Sequence, residues 1–126
     1  MRQVIDASVV LAWLLAERGG EAIEADGGPY CLSSVNLAEV LTKSVDRGLA
    51  VGEVMRLMKR LPIEHHDYAR DDAALSAELR TATRVHGLSL GDRACLALGE
   101  RLQLRVLTAD AAWAAFDLGI DVHLIR

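Results

Sequence analysis

The sequence predicts an α/β fold with a mainly parallel central sheet covered by helices on both faces, and three observations carry that prediction. Short apolar runs of strand length alternate with longer runs of helical period. The connections between them are short, as in sheets built from right-handed strand–helix–strand crossovers. The third observation is a recurring acid: Asp6 and Asp110 each follow a short apolar strand and precede a helix, and Asp92 sits in a helical first turn. A length of 126 residues fits one domain spanning 1–126, enough to bury about two thirds of the unfolded surface.

In order, Val4 and Ile5 open a strand ending at Asp6, and Ser8 precedes the apolar run Val9, Val10, Leu11, Trp13, Leu14 and Leu15, which predicts a buried helix closed by Gly19 and Gly20. An acidic segment from Glu21 to Asp26 follows, then Gly27-Gly28-Pro29 punctuates before a strand at Tyr30, Cys31 and Leu32. Ser33 and Ser34 cap the next helix. Its expected core stripe is Leu37, Val40, Leu41 and Val45, which leaves Asn36, Glu39, Lys43 and Asp46 on the other side, and Gly48 stops it. Gly52 to Leu61 reads as a helix with Val54, Met55, Leu57, Met58 and Leu61 inward, closed by Pro62. Residues 63–66 form a weak strand. Residues 71–85 read as a helix with Ala73, Ala74, Leu75, Leu79 and Ala82 as its apolar positions, ended by Gly87. Ser89 and Asp92 stand three apart ahead of Ala94, Leu96, Ala97 and Leu98, the signature of a capped helix over about 90–102. A strand at 105–107, a helix at 111–118 closed by Gly119, and a strand at 121–125 complete the chain. There is no internal repeat or low-complexity linker.

Composition narrows the function classes. Hydrophobic residues make up 52% and charged residues 25%, which places the chain with compact globular proteins. Apolar runs such as Val9 to Ala16 are too short to span a bilayer and no signal peptide is seen ahead of the first strand, so a cytoplasmic protein is expected. Cys31 and Cys95 lack metal-ligand spacing and read as buried free thiols. A net charge of -4 argues against a protein that coats nucleic acid through a broad basic surface, though not against a local basic patch.

In an open parallel sheet, residues just past the carboxyl ends of strands share one edge, where such folds bind ligands. Asp6, Asp110 and the serines preceding Glu39 belong to that edge, and Asp92 joins them if its helix starts there. Ionised carboxylates brought together repel and need a cation, and oxygen-only ligands select Mg²⁺ or Mn²⁺. Such ions generate a nucleophile from water and stabilise a leaving oxygen, which is the logic of phosphodiester hydrolysis. Each acid also has an ordinary role: Asp6, Asp92 and Asp110 are good caps, and Glu39 with Lys43 is an i,i+4 helix pair.

Four blocks in this order resemble one family across essentially the whole chain: Val4-Ile5-Asp6-Ala7-Ser8, Ser33-Ser34-Val35-Asn36-Leu37-Ala38-Glu39-Val40, Ser89-Leu90-Gly91-Asp92-Arg93-Ala94-Cys95-Leu96-Ala97 and Leu107-Thr108-Ala109-Asp110-Ala111-Ala112-Trp113. They resemble the PIN-domain ribonucleases, specifically VapC toxins. The resemblance implies a PIN-like three-layer α/β/α sandwich and an endoribonuclease toxin silenced by a cognate VapB-type antitoxin. It implies a Mg²⁺ or Mn²⁺ centre held by Asp6, Glu39, Asp92 and Asp110, with Ser8, Asn36 and Thr108 supporting them. Together with the apolar composition it also implies a homodimer.

His65, His66, His86 and His123 have no mutual metal-ligand spacing and read as surface or strand-end residues; Lys43, Arg47, Arg80, Arg84 and Arg93 are candidates for phosphate contacts. Two other readings compete. An aspartyl-phosphate enzyme of the haloacid-dehalogenase or receiver type would want a second acid where Ser8 stands, or paired acids near Asp6 and a lysine after a late strand, and the sequence has neither. A catalytically silent PIN-like binding module would be favoured by loss of an acid, and all four are present.

Overall fold

The computed structural model describes residues 1–126. Five strands, β1 (Gln3–Ile5), β2 (Tyr30–Ser33), β3 (Ile63–His66), β4 (Val106–Thr108) and β5 (Val122–Leu124), form one sheet in the order β3-β2-β1-β4-β5. Every neighbouring pair is parallel, so the sheet is wholly rather than mainly parallel. Helices α1 (Ala7–Leu14), α2 (Ala22–Asp26), α3 (Ser34–Asp46), α4 (Val51–Met58), α5 (Arg70–Thr83) and α6 (Leu90–Leu102) connect the strands. None is long and apolar enough to cross a membrane.

Strand alternation sorts the core into two faces. Ile5, Tyr30 and Leu32 face α1, α3 and α4, where Val9, Val10, Val40, Val54 and Met58 pack against them. Val4, Cys31 and Val106 face the other way, onto Leu79 of α5 and Cys95, Leu96 and Leu98 of α6. The result is a three-layer α/β/α sandwich. At Gly99 a Cβ would overlap the Val106 side chain, so this glycine lets α6 lie close against β4.

Several elements depart from the sequence reading. Asp6 itself caps α1, accepting from the Val9 amide at 3.2 Å, so no loop separates β1 from α1 beyond this one residue. Residues 22–26 form a short helix, and residues 111–118 yield only a 3-10 segment at Ala111–Ala115. Met55, expected inward, is exposed, and so is Val45 of the α3 stripe; Asn36, assigned to the polar side, is buried.

The largest correction concerns α5. Leu79 is buried and Leu75 packs against the core as expected, but Ala73, Ala74 and Ala82 are exposed and the rest of the buried face is Asp72, Ser76 and Thr83. Helix α6 supplies part of what this polar stripe needs, Thr83 donates to the Leu79 carbonyl of its own helix at 2.8 Å, and Ser76 Oγ is buried without a partner. Arg101 Nε donates to Asp72 Oδ1 at 2.7 Å, Arg93 donates to the Ser76 carbonyl at 2.9 Å, and Asp72 Oδ2 accepts from the Ala69 amide at 2.9 Å.

Candidate active site

Strand order places the site. The chain steps from β1 outward through β2 to β3, then returns to lay β4 and β5 on the other side of β1, so the switch point lies between β1 and β4. Asp6 follows β1 at this crevice, and Thr108, Ala109 and Asp110 close β4 beside it. The first two turns of α3 and the first turn of α6 face the same crevice and add Asn36, Glu39 and Asp92. A cleft of about 110 Å³ is lined by Asp6, Ala7, Ser8, Asn36, Glu39, Lys43, Asp92 and Asp110.

Asp6 is the anchored member. Its Oδ1 accepts from Ser8 Oγ at 2.6 Å and its Oδ2 from Thr108 Oγ1 at 2.8 Å. The same hydroxyls tie the two strand ends together: the Ala109 amide donates to Ser8 Oγ at 2.9 Å and the Asp110 amide to Thr108 Oγ1 at 3.1 Å. Burial nevertheless dominates, pushing the Asp6 carboxyl up to about 6 against the opposing pull of Ser8, Thr108 and the Val9 amide, with the charge of Asp92 adding to the rise.

Glu39 is held by Asn36, whose Nδ2 donates to Glu39 Oε1 at 3.1 Å and to the Gly91 carbonyl at 3.0 Å, stitching α3 to α6. A Cβ at Gly91 would overlap Glu39 Oε1, so the absence of a side chain there makes room for the carboxylate. Desolvation raises the Glu39 carboxyl, Asn36 offsets it, Asp92 adds to the rise and Lys43 lowers it. Asp92 and Ser89 form a reciprocal cap, the Ser89 amide donating to Asp92 Oδ2 at 2.9 Å and the Asp92 amide to Ser89 Oγ at 3.2 Å. Asp110 caps the 3-10 segment, accepting from the Ala112 amide at 3.0 Å. Capping and convergence therefore coexist in Asp6, Asp92 and Asp110. One helical turn beyond Asp92, fully buried Cys95 is raised well above an ordinary thiol by desolvation and by the charges of Asp6, Asp92 and Glu39.

The carboxylates line one cleft without closing on each other. No three of them bring oxygens within 4.8 Å of one another; the one group that meets this spacing is Cys31, Glu64 and His66, elsewhere on the sheet. A divalent cation fits the cleft. The acidic donors are all oxygen, Lys43 is the only cationic side chain in the lining, and Asn36 Oδ1 is buried without a partner.

A larger groove of about 490 Å³ adjoins the cleft through Ser8 and Lys43 and is lined further by Glu17, Asp46, Arg47 and Arg126. The chemistry belongs to the smaller cleft, where the carboxylates are. Of the suggested phosphate contacts, Lys43 and Arg47 border these spaces. Arg93 does not: it is committed to the Ser76 carbonyl, and Arg80 lies 3.5 Å from the Leu88 carbonyl. Arg126 was not singled out from the sequence, because only the fold brings it to Arg18, whose carbonyl it contacts at 2.9 Å.

Fold and site together define the class, a parallel α/β/α sandwich with an acidic cleft at its switch point. The chain belongs to the PIN-domain family, whose model matches residues 4–118. No curated protein matches it in sequence. Among solved structures it is similar to a toxin–antitoxin complex from Klebsiella pneumoniae, with a TM-score of 0.76, 20% identity and 98% of each chain covered. It is similar also to a DNA-bound VapBC from Salmonella typhimurium, at TM-score 0.74, 17% identity and 100% of each chain. A third is VapC20 of Mycobacterium tuberculosis, a toxin that cleaves the sarcin–ricin loop, at TM-score 0.73 and 16% identity, covering 90% of this chain and 95% of that one.

Proposed function

We propose that this PIN domain is a divalent-metal-dependent endoribonuclease acting in the cytoplasm as the VapC-type toxin of a toxin–antitoxin pair. The observation that carries the reading is the cleft, in which acids from four separate chain segments meet at the switch point with Lys43 as the only cation among them. Asp6, Glu39, Asp92 and Asp110 would hold Mg²⁺ or Mn²⁺. When bound, such an ion supplies an activated water and stabilises the leaving oxygen of a phosphodiester. Ser8 and Thr108 fix both oxygens of Asp6, Asn36 aims Glu39, and Ser89 fixes Asp92. Lys43 and Arg47 are placed to receive substrate phosphates entering from the larger groove. No histidine lines the cleft, so general-base work by an imidazole has no support in this site.

The partner side of the reading rests on exposed apolar surface and on the family of complexes that the fold matches. Val45, Val51 and Met55 are exposed at the turn between α3 and α4, a surface suited to a second copy of the chain or to an apolar antitoxin segment. An arginine from a VapB-type antitoxin, set against the acids, would displace metal and RNA.

The test is incubation of the purified protein with total cellular RNA and Mn²⁺, mapping of the cut ends, and an Asp92→Asn control. Discrete cuts that vanish in chelator and in the variant support the reading. Equal cleavage by the variant, or cleavage in chelator, would sink it.

A further inference from the structure

Away from the cleft, parallel pairing of β2 with β3 sets Cys31 opposite Glu64 and Ser33 opposite His66. Residues two apart on a strand share a face, so Cys31, Glu64 and His66 project together on the side that carries α5 and α6. Their donor atoms, Sγ, a carboxylate oxygen and a ring nitrogen, all lie within 4.8 Å of one another, and Cys31 Sγ is 3.8 Å from Glu64 Oε2. Two observations mark this group as more than a lone buried thiol. Cys31 is fully shielded from solvent, and His66 Nε2 is buried with no hydrogen-bond partner, an unmet polar atom on the same imidazole.

We infer that Cys31, Glu64 and His66 form a site for a thiophilic divalent metal, zinc foremost, distinct from the carboxylate cleft. The donor set decides the class of ion, since thiolate and imidazole favour zinc and disfavour magnesium. A cysteinate and a glutamate balance the charge of a divalent ion, and three protein ligands leave a fourth position for water. Ligands on one zinc at bonds of about 2.0–2.3 Å stand roughly 3.3–3.8 Å apart, so the site closes with shifts of about an ångström. Glu64 and His66 are both only partly buried and free to make them. Arg2, which donates to Glu64 at 2.8 and 3.2 Å, is exposed and yields or shares the carboxylate at small cost. A cysteine binds metal as its thiolate, so loading the site releases the thiol proton. Loading joins the edge strand β3 to β2, beside Ser33, which caps the helix carrying Asn36 and Glu39. Sequence spacing hides the site because the ligands come from two strands aligned only by sheet register.

The test uses cobalt(II) alone as the probe and an Asp6→Asn/Asp92→Asn background that disables the carboxylate cleft, so the outcome is independent of the nuclease reading. Cobalt should give a thiolate-to-metal charge-transfer band that zinc abolishes by displacement. Cys31→Ser should remove the band, Cys95→Ala should keep it, and His66→Gln should weaken binding by more than about a hundredfold, since even supporting groups of metal ligands are worth 10–100-fold. His66 is only partly buried, so His66→Gln carries the test if Cys31→Ser fails to fold. Absence of the band in the parent protein, its persistence in Cys31→Ser, or unchanged affinity in His66→Gln overturns the site.

Discussion

Asp6 and Asp72 are almost equally buried, at 4% and 3% exposed, yet the molecule treats them in opposite ways. Asp72 lies between α5 and α6 and receives a guanidinium, Arg101, together with the Ala69 amide. Asp6 lies at the switch point and receives two hydroxyls and an amide but no cation, and the charge of another acid, Asp92, adds to the rise of its carboxyl. A buried carboxylate with its own counterion is finished structure. Asp6 has orienting donors and no counterion of its own, which is what the proposed metal centre requires. Helix α6 belongs to both regions, with Asp92 in its first turn and Arg101 in its last.

The comparison breaks most visibly in catalysis. Asp92→Asn is expected to lower Mn²⁺-dependent RNA cleavage by roughly two to four orders of magnitude, about 3 to 5 kcal/mol of barrier, whereas Arg101→Met should leave the activity of folded protein near the parent's. Steady-state cleavage of one mapped RNA by both variants checks this, and a comparable loss in Arg101→Met would erase the distinction. Stability should show the reverse. Arg101→Met strands Asp72 in the interface and should cost about 3 kcal/mol by denaturant unfolding, at the low end for a broken buried pair because Arg101 is itself one third exposed.

Asp6 should also make stability depend on pH. A carboxyl raised from 3.8 to about 6 binds its proton more tightly in the folded state, so its contribution to stability is full below pH 3.8 and is lost as pH rises through about 6. In chelator this loss is on the order of 3 kcal/mol, and Asp6→Asn should abolish it, leaving the variant more stable than the parent at pH 7. A parallel pH dependence in the two proteins would mean that Asp6 is not desolvated as described. Adding Mn²⁺ at a hundredfold excess over Kd should return roughly 2.7 kcal/mol to the parent and little to Asp110→Asn, read as a shift in melting temperature. The smallest effect sharpens the comparison most. Gly91→Ala adds a helix-favouring methyl, worth up to about 1 kcal/mol of stability, yet displaces Glu39 and should lower cleavage at least tenfold. Unchanged cleavage would show that Glu39 need not sit where Asn36 holds it.

These two regions were not equally legible in the sequence. Asp6, Asp92 and Asp110 are legible because strand-end and first-turn positions recur and short loops leave little freedom in where they lie, whereas Glu39 reads as a solvated helix position and joins them only through the family resemblance. The α5–α6 interface is less legible. Its buried stripe sets Asp72, Ser76 and Thr83 beside the expected Leu79, while the alanines of the apolar set are exposed, so hydrophobic periodicity finds the leucines and misses the polar part of the face. Asp72 is buried because Arg101 reaches it from a helix twenty-nine residues away, and Arg93 arrives from the same helix at the Ser76 carbonyl, partners that no reading of α5 alone contains. The grouping of Cys31, Glu64 and His66 was hidden for a related reason, since strand register is a property of the sheet and not of either strand alone.

The hydrogen bond from Thr108 to Asp6 spans 102 residues of chain, and it gives the order of events during synthesis a consequence. Strand β1 is made before its partner β4, and the hydroxyl that orients Asp6 follows 102 residues later. A nascent chain can collapse α1, α3 and α4 onto β1 and β2 long before the cleft exists. Because so long a loop must close before these contacts form, completion of the cleft is a late step in folding. A chain that stops short of β4 lacks Thr108, which orients Asp6, and Asp110, so it cannot complete the cleft.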